Sequence, residues 1–277
     1  MGLRIATNIA SQSVQKNLKE VSADGQASLE KLSSGKRITK AADDAAGLAI
    51  ATNLDAQTKG LRQATRNAND GVSMIQTAEG GLNEVSNILV RLRELTIQAS
   101  SDTVGDTERG FLDKEYQQLT TEVDRIAQST TFNGTNLLNG EGGGTLDIQV
   151  GAFAGDQNRI QFDSDETNAT ADEIGVGGTS ITEKGDALDA IDDIDNAITS
   201  VSGHRANLGS IQSRLQSTVA NLEVQTINQD NARSVIQDVD VAEETAKMAS
   251  SNVVKSAAVS SLAQANAIPN SALRLIG

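Results

Sequence analysis

Apolar residues recur every seven positions through one long stretch of the chain. Leu54, Leu61, Ala68, Ile75, Leu82 and Leu89 form one line, and Gln57, Ala64, Gly71, Ala78, Val85 and Leu92 lie three residues on from each. That is a heptad seam from about Ile50 to Ala99, and as one helix it spans about 80 Å at 1.5 Å per residue. Gly60, Gly71, Gly80 and Gly81 interrupt it. Gly71 falls on the seam, where the missing side chain lets another helix pack closely, while a local break and close packing both stay open for the other three. A second seam, Ile194, Val201, Leu208, Leu215 and Leu222, lies far downstream. Between the two, Leu112, Tyr116, Leu119, Val123 and Ile126 keep four-three spacing, which predicts an amphipathic helix returning antiparallel to the first after the turn-rich Ser100–Glu108.

Strand patterning is confined to one place. Leu146, Ile148 and Val150 alternate with polar residues, as do Ile160 and Phe162, which predicts a β-hairpin near 145–163. Phe132-Asn133-Gly134 and Asn139-Gly140 are turn signals before it. Residues 163–185 are polar and poorly periodic and read as a solvated loop.

The two ends differ from the middle. From Ile5 to Leu32 the stripe is narrow (Val14, Leu18, Val21, Leu29, Leu32), and the last helix, from about Val241, is rich in Ala, Ser and Val and is expected to end at Pro269. Neither can hold a lone helix in water, so each needs a partner. They are expected to pair with each other and with copies from neighbouring chains. A joint at Leu32–Ile50 separates the first helix from the seam: Gly35 is a C-terminal stop, and Asp43-Asp44 restart a helix as N-cap residues. The fold class is therefore mostly α: a long antiparallel helical bundle or coiled-coil rod with one small β-hairpin, plus paired N- and C-terminal helices.

Composition narrows function. The 277 residues include no Cys or Trp, one Pro, and 2% aromatics, which suits helix-on-helix packing from aliphatic side chains. A net charge of −14 opposes nucleic-acid binding, which needs clustered Lys and Arg. No run of eighteen apolar residues is present to insert in a membrane, and the N-terminus carries no signal-peptide pattern. Gly35-Lys36 lacks the flanking residues of a phosphate loop, and Asp163, Asp165 and Glu166 lack the register of a calcium loop. With one His, His204, and no Cys, a two-His zinc motif and a Cys–His pair are excluded, and His204 reads as a helix-surface residue. No enzyme, cofactor or metal is expected. Asn133-Gly-Thr and Asn168-Ala-Thr match the N-glycosylation pattern at a frequency that chance explains in so Asn- and Thr-rich a chain.

Several ordered motifs resemble bacterial flagellin. At the front these are Leu32-Ser-Ser-Gly35, Ala42-Asp-Asp-Ala-Ala-Gly-Leu-Ala-Ile50, Arg91-Leu-Arg-Glu-Leu95 and Phe132-Asn-Gly134. At the back they are Asn231-Ala-Arg233, Asp238, Asp240, Glu244, Met248 and Leu262-Ala-Gln-Ala-Asn266. The resemblance implies a secreted filament subunit that self-assembles head-to-tail, exported through the flagellar channel without a cleaved signal peptide. It implies a terminal-helix core domain (1–40 and 240–277), a rod domain (41–239), and residues 163–185 as a short outer loop in place of large outer domains. The assembly residues it implies are Leu18, Leu32, Gly35, Asp43, Asp44, Arg91, Leu95, Arg233, Asp238, Leu262 and Leu275. The partners it implies are further copies of the chain, the export apparatus with a secretion chaperone, and hook-associated junction and cap proteins. A host innate immune receptor meeting Arg91, Leu95 and Glu115 is a further implied contact. The alternative of similar plan is a hook–filament junction protein.

Overall fold

The structure, a computed structural model, describes residues 7–276, and the side chains of residues 7–267. Among the described residues are five α-helices: α1 (Ile9–Ser34), α2 (Ala45–Ala99), α3 (Asp106–Ser129), α4 (Lys184–Gln237) and α5 (Val241–Ile276). Two antiparallel strand pairs lie between α3 and α4: β1 (Thr131–Phe132) with β2 (Thr135–Asn136), and β3 (Thr145–Gln149) with β4 (Arg159–Asp163). The β3–β4 pair is the expected hairpin. The smaller pair closes on the Asn133-Gly134 turn signal: at φ 50° and 81° these residues supply its two left-handed positions, the backbone that a two-residue hairpin loop requires.

The contacts divide the chain into two compact units. One comprises Met1–Gln57 with Asn228–Gly277, the other Thr58–Ile227.

The Thr58–Ile227 unit holds the hydrophobic core. Its part of the α2 seam is buried at every position from Leu61 to Leu92, as is the α4 line from Ile194 to Leu222. Both predicted seams therefore face inward in this unit, while Leu54 and Gln57, at the start of the first, are half-buried. α2 and α4 run antiparallel, with Arg93 Nε donating to Asp195 Oδ1 at 2.6 Å toward one end and Leu61, Ala64 and Leu222 clustered toward the other. α3 returns along α2, joined to it by Arg91 and Glu115. The turn between them is held by Arg109, whose buried guanidinium donates to the carbonyls of Ala99 (2.8 Å) and Ser101 (3.1 Å) and pairs with Asp106. The Ala99 carbonyl is one of those that a helix C-terminus leaves without an intrahelical partner.

None of the four glycines breaks α2. A Cβ on Gly71 would meet Ile148 Cδ1 at 2.8 Å, one on Gly81 would meet Leu138 and Thr130 at 2.7 Å, and one on Gly60 would meet Ala152 at 3.1 Å. Close packing is thus the role of these three, while Gly80 faces open space.

Residues 163–185 differ from expectation. Ser164, Thr167, Ala169, Ala171, Ile174, Val176 and Ile181 are all buried, so the segment packs on the bundle. Polar side chains of α3 hold it: Asp124 accepts from the Ala171 amide at 2.7 Å, Asp113 accepts from the Ile181 amide at 2.9 Å, and Gln117 donates to the Thr179 carbonyl. The Tyr116 hydroxyl lies 2.6 Å from that of Thr179. Few apolar residues suffice here because the backbone polar groups find partners on a preformed helix.

Candidate assembly surface

The unit made from the chain ends is built quite differently. α1 and α5 pack along one another, yet among its described residues only Ser11, Ser28, Ile38, Ala51, Glu244, Ala265 and Gly47 are buried. No apolar core cluster forms there among the described residues; both such clusters belong to the other unit. Ile9, Leu29, Ile50, Val235, Val241, Val253, Val254 and Val259 remain exposed, Val235 to 83% and Val253 to 70%. A groove of about 300 Å³ runs beside Val21, Gly25, Leu29, Met248 and Ser251. Exposed apolar side chains in such number, beside a groove, point to an interaction surface.

The joint is a hydrogen-bonded piece of backbone. Gly35 ends α1 in the left-handed conformation, φ 70° and ψ 9°. Its carbonyl accepts from the Val239 amide at 3.1 Å, Arg37 donates its amide to the Gln237 carbonyl at 2.7 Å, and the Arg37 side chain donates to the Ile236 carbonyl at 2.6 Å. Lys36 and Asp238 pair as an isolated bridge. The first joint therefore meets the break between α4 and α5.

The two adjacent aspartates of the joint divide their work. Asp44 is the N-cap of α2, its carboxylate accepting from the Gly47 amide at 2.8 Å. Asp43 folds back instead and accepts from the Thr39 amide, the Lys40 amide and the Thr39 hydroxyl, each at 3.0 Å. Those donors, the Thr39 amide foremost, hold its carboxyl below the usual aspartate value. Asp240 caps α5 by the same chemistry as Asp44, accepting from the Ala242 and Glu243 amides. Its signal, an Asp directly before a helical run with Glu at the third position beyond, was present in the sequence.

The other residues named from sequence fall as follows. Leu18, Leu32 and Leu262 are half-buried. Arg233 pairs with Asp55 at 2.6 Å and with Asp230 at 3.1 Å. Arg91 is exposed and pairs with Glu115 (2.8 Å) and Glu94 (2.9 Å). Leu95 is 1% exposed and belongs to the core, so it offers no surface for a partner. Leu275 lies outside the residues whose side chains are described.

Asn8 and Ser11 were not singled out by pattern. Asn8 caps α1 through Oδ1, accepting from the Ser11 amide, while its Nδ2 donates to the Ala265 carbonyl at 2.9 Å. Ser11 donates to Asn266 Oδ1 at 2.8 Å. Pro269 does not end α5, which continues to Ile276.

His204 is half-buried, not a free surface residue; its Nε2 lies 3.3 Å from the Ser200 hydroxyl, and burial pushes its pKa below the ordinary value. No group of three or more His, Cys, Asp or Glu able to hold a metal occurs among the described residues. No helix among them is long and apolar enough to cross a membrane.

A bundle with its own apolar core, joined in one chain to paired terminal helices that leave many of their apolar side chains uncovered, defines a structural, self-associating subunit. The chain belongs to the bacterial flagellin family, whose members are filament subunits of the bacterial flagellum. Residues 5–142 match the bacterial flagellin N-terminal helical region, and residues 191–276 match the C-terminal helical region. It is 41% identical to a flagellin of Halalkalibacterium halodurans across 97% of this chain and 98% of that one. It is 36% identical to a flagellin of Bacillus subtilis across 99% and 100% of the two chains. The crystal structure of Bacillus cereus flagellin matches with a TM-score of 0.51 at 31% identity, over 57% of this chain and 88% of that one. A putative flagellar hook-associated protein of Vibrio parahaemolyticus shares the fold, with a TM-score of 0.59 at 16% identity. The chain is a structural protein and not an enzyme.

Proposed function

We propose that the chain polymerises head-to-tail into a filament used for swimming, with its terminal helices buried only by neighbouring copies. One observation carries this reading: the α1–α5 pair exposes Ile9, Leu29, Val241, Val253, Val254 and Val259 and has no apolar core cluster of its own among the described residues. Burying such surface is worth about 25 cal/mol per Å², and neighbouring copies supply the cover. Head-to-tail contacts that do not close give a filament. On this reading residues 1–40 and 240–277 form the filament core and residues 41–239 the rod. Residues 163–185 are the outward segment, compact and without a large insertion.

Family membership supports export through the flagellar apparatus with a secretion chaperone, and contact with hook-associated junction and cap proteins at the filament ends. If a host receptor contacts the rod, the exposed Arg91–Glu115 pair is the feature it meets, and direct binding to the receptor ectodomain, with R91A as control, tests this.

The central test is polymerisation of the purified full chain under added salt or with filament seeds. Long filaments are expected, because salt screens the repulsion between chains of charge −14. A chain that stays monomeric under every salt and seeding condition would overturn the reading and favour a junction role.

A further inference from the structure

Proline in a helix interior withholds the amide that would serve the carbonyl four residues before it. In α5 that proline is Pro269, and the carbonyl that loses its donor four residues on is that of Ala265. Ala265 is buried at 6% exposure, where an unmet carbonyl is costly. Its oxygen accepts instead from Nδ2 of Asn8, at 2.9 Å. The same Asn8 side chain caps α1 with its other atom, Oδ1. One amide group thus completes the start of α1 and fills the gap in α5.

A second tie closes the other end of the pair, where the Gly35 carbonyl accepts from the Val239 amide. Between the two ties α1 contributes about 27 residues and α5 about 26, a mismatch of about one residue or 1.5 Å of rise. Both ties are therefore met at once by two helices in a single register. Slippage by a turn would break both, while the small and polar side chains between them would resist it little.

We propose that Asn8 is the register pin of the terminal helix pair, supplying to Ala265 the hydrogen bond that Pro269 removes. This rests on the assembly reading and adds to it: the pin selects the alignment in which α1 and α5 enter the filament. Asn8 is a positioning residue, acting through Ala265 on the surface that α1 and α5 present together.

The test is a double-mutant cycle in the full chain. Asn8→Ser keeps an N-cap acceptor and removes the Nδ2 donor. Pro269→Ala returns an amide to the Ala265 carbonyl. The critical concentration for polymerisation is read in the unsubstituted chain, both single variants and the double variant. Asn8→Ser is expected to raise it roughly five- to tenfold, the worth of one hydrogen bond, and to change it less than about twofold in the Pro269→Ala background. Register itself is read by a disulfide. The chain has no cysteine, and a Cβ on Gly25 would lie 3.8 Å from Ser251 Cβ, the separation found in disulfides. In assembled protein, Gly25→Cys with Ser251→Cys should cross-link efficiently, less so with Asn8→Ser, and efficiently again with Pro269→Ala added. An Asn8→Ser variant that behaves as unsubstituted protein, or one whose loss is the same with and without Pro269, would overturn the pin. Failure of the unsubstituted chain to polymerise would strike the assembly reading instead, and the relative cross-link yields of the variants, which trap even a transient α1–α5 pair, would then decide the pin.

Discussion

Ile148 of β3 lies directly on the bare backbone of Gly71 in α2, its Cδ1 2.8 Å from where a Cβ would stand. The hairpin sits on the bundle through a missing side chain. Gly71→Val should therefore lower stability by about 1–3 kcal/mol through overpacking. Gly80 on the same helix has nothing within 4 Å, and Gly80→Ala should raise stability by about 0.5–1 kcal/mol through helix propensity. Chemical denaturation of the two variants, monitored by circular dichroism, checks both signs.

At the joint, a Cβ on Gly35 would touch nothing within 4 Å, so Gly35→Ala acts through backbone strain alone. At φ 70° that strain is about 1–2 kcal/mol. The joint lies in the unit with no apolar core cluster among its described residues, so the loss should appear in polymerisation and motility more than in monomer melting. Asp43→Asn should behave likewise. Equal losses in both measurements would make this segment an ordinary linker.

Asp43 also predicts a pH response. Its folded pKa lies below the unfolded value, so its stabilisation is present above about pH 4 and is lost as the pH falls through the folded value. Filament dissociation followed by light scattering during acid titration should begin at higher pH in Asp43→Asn, which has already lost the charge.

His204 acts with the opposite chemistry. Burial lowers its folded pKa, so the unfolded chain binds its proton first as the pH falls. Its penalty is absent above about pH 6.5 and grows as the pH drops below that value, reducing the stability of the Thr58–Ile227 unit. Replacing it with Gln should flatten the dependence of the melting temperature between about pH 5 and pH 7.

Hydrogen exchange of the soluble monomer should find residues 1–40 and 240–277 largely unprotected, with slow exchange along the bundle core from Leu61 to Leu92. Protection of the terminal segments before assembly would mean that the α1–α5 pair is stable without neighbours.

Much of this molecule was legible in its sequence because helix burial follows a short repeating spacing. The seam from Leu61 to Leu92 and the line from Ile194 to Leu222 are buried as their periods predict, and Gly35 and Asp44 end and begin helices by local chemistry. The uncovered ends were legible for the same reason, since a stripe as narrow as Val14, Leu18 and Val21 cannot bury itself. Hydrogen-bond partners distant in sequence left no such periodic trace. Only the tertiary structure shows Asp113 and Asp124 ordering residues 163–185, moves Leu95 from a candidate surface into the core, and brings Asn8 to Ala265. Apolar spacing is a property of one segment read alone, whereas a polar atom's partner depends on which segment folding places beside it.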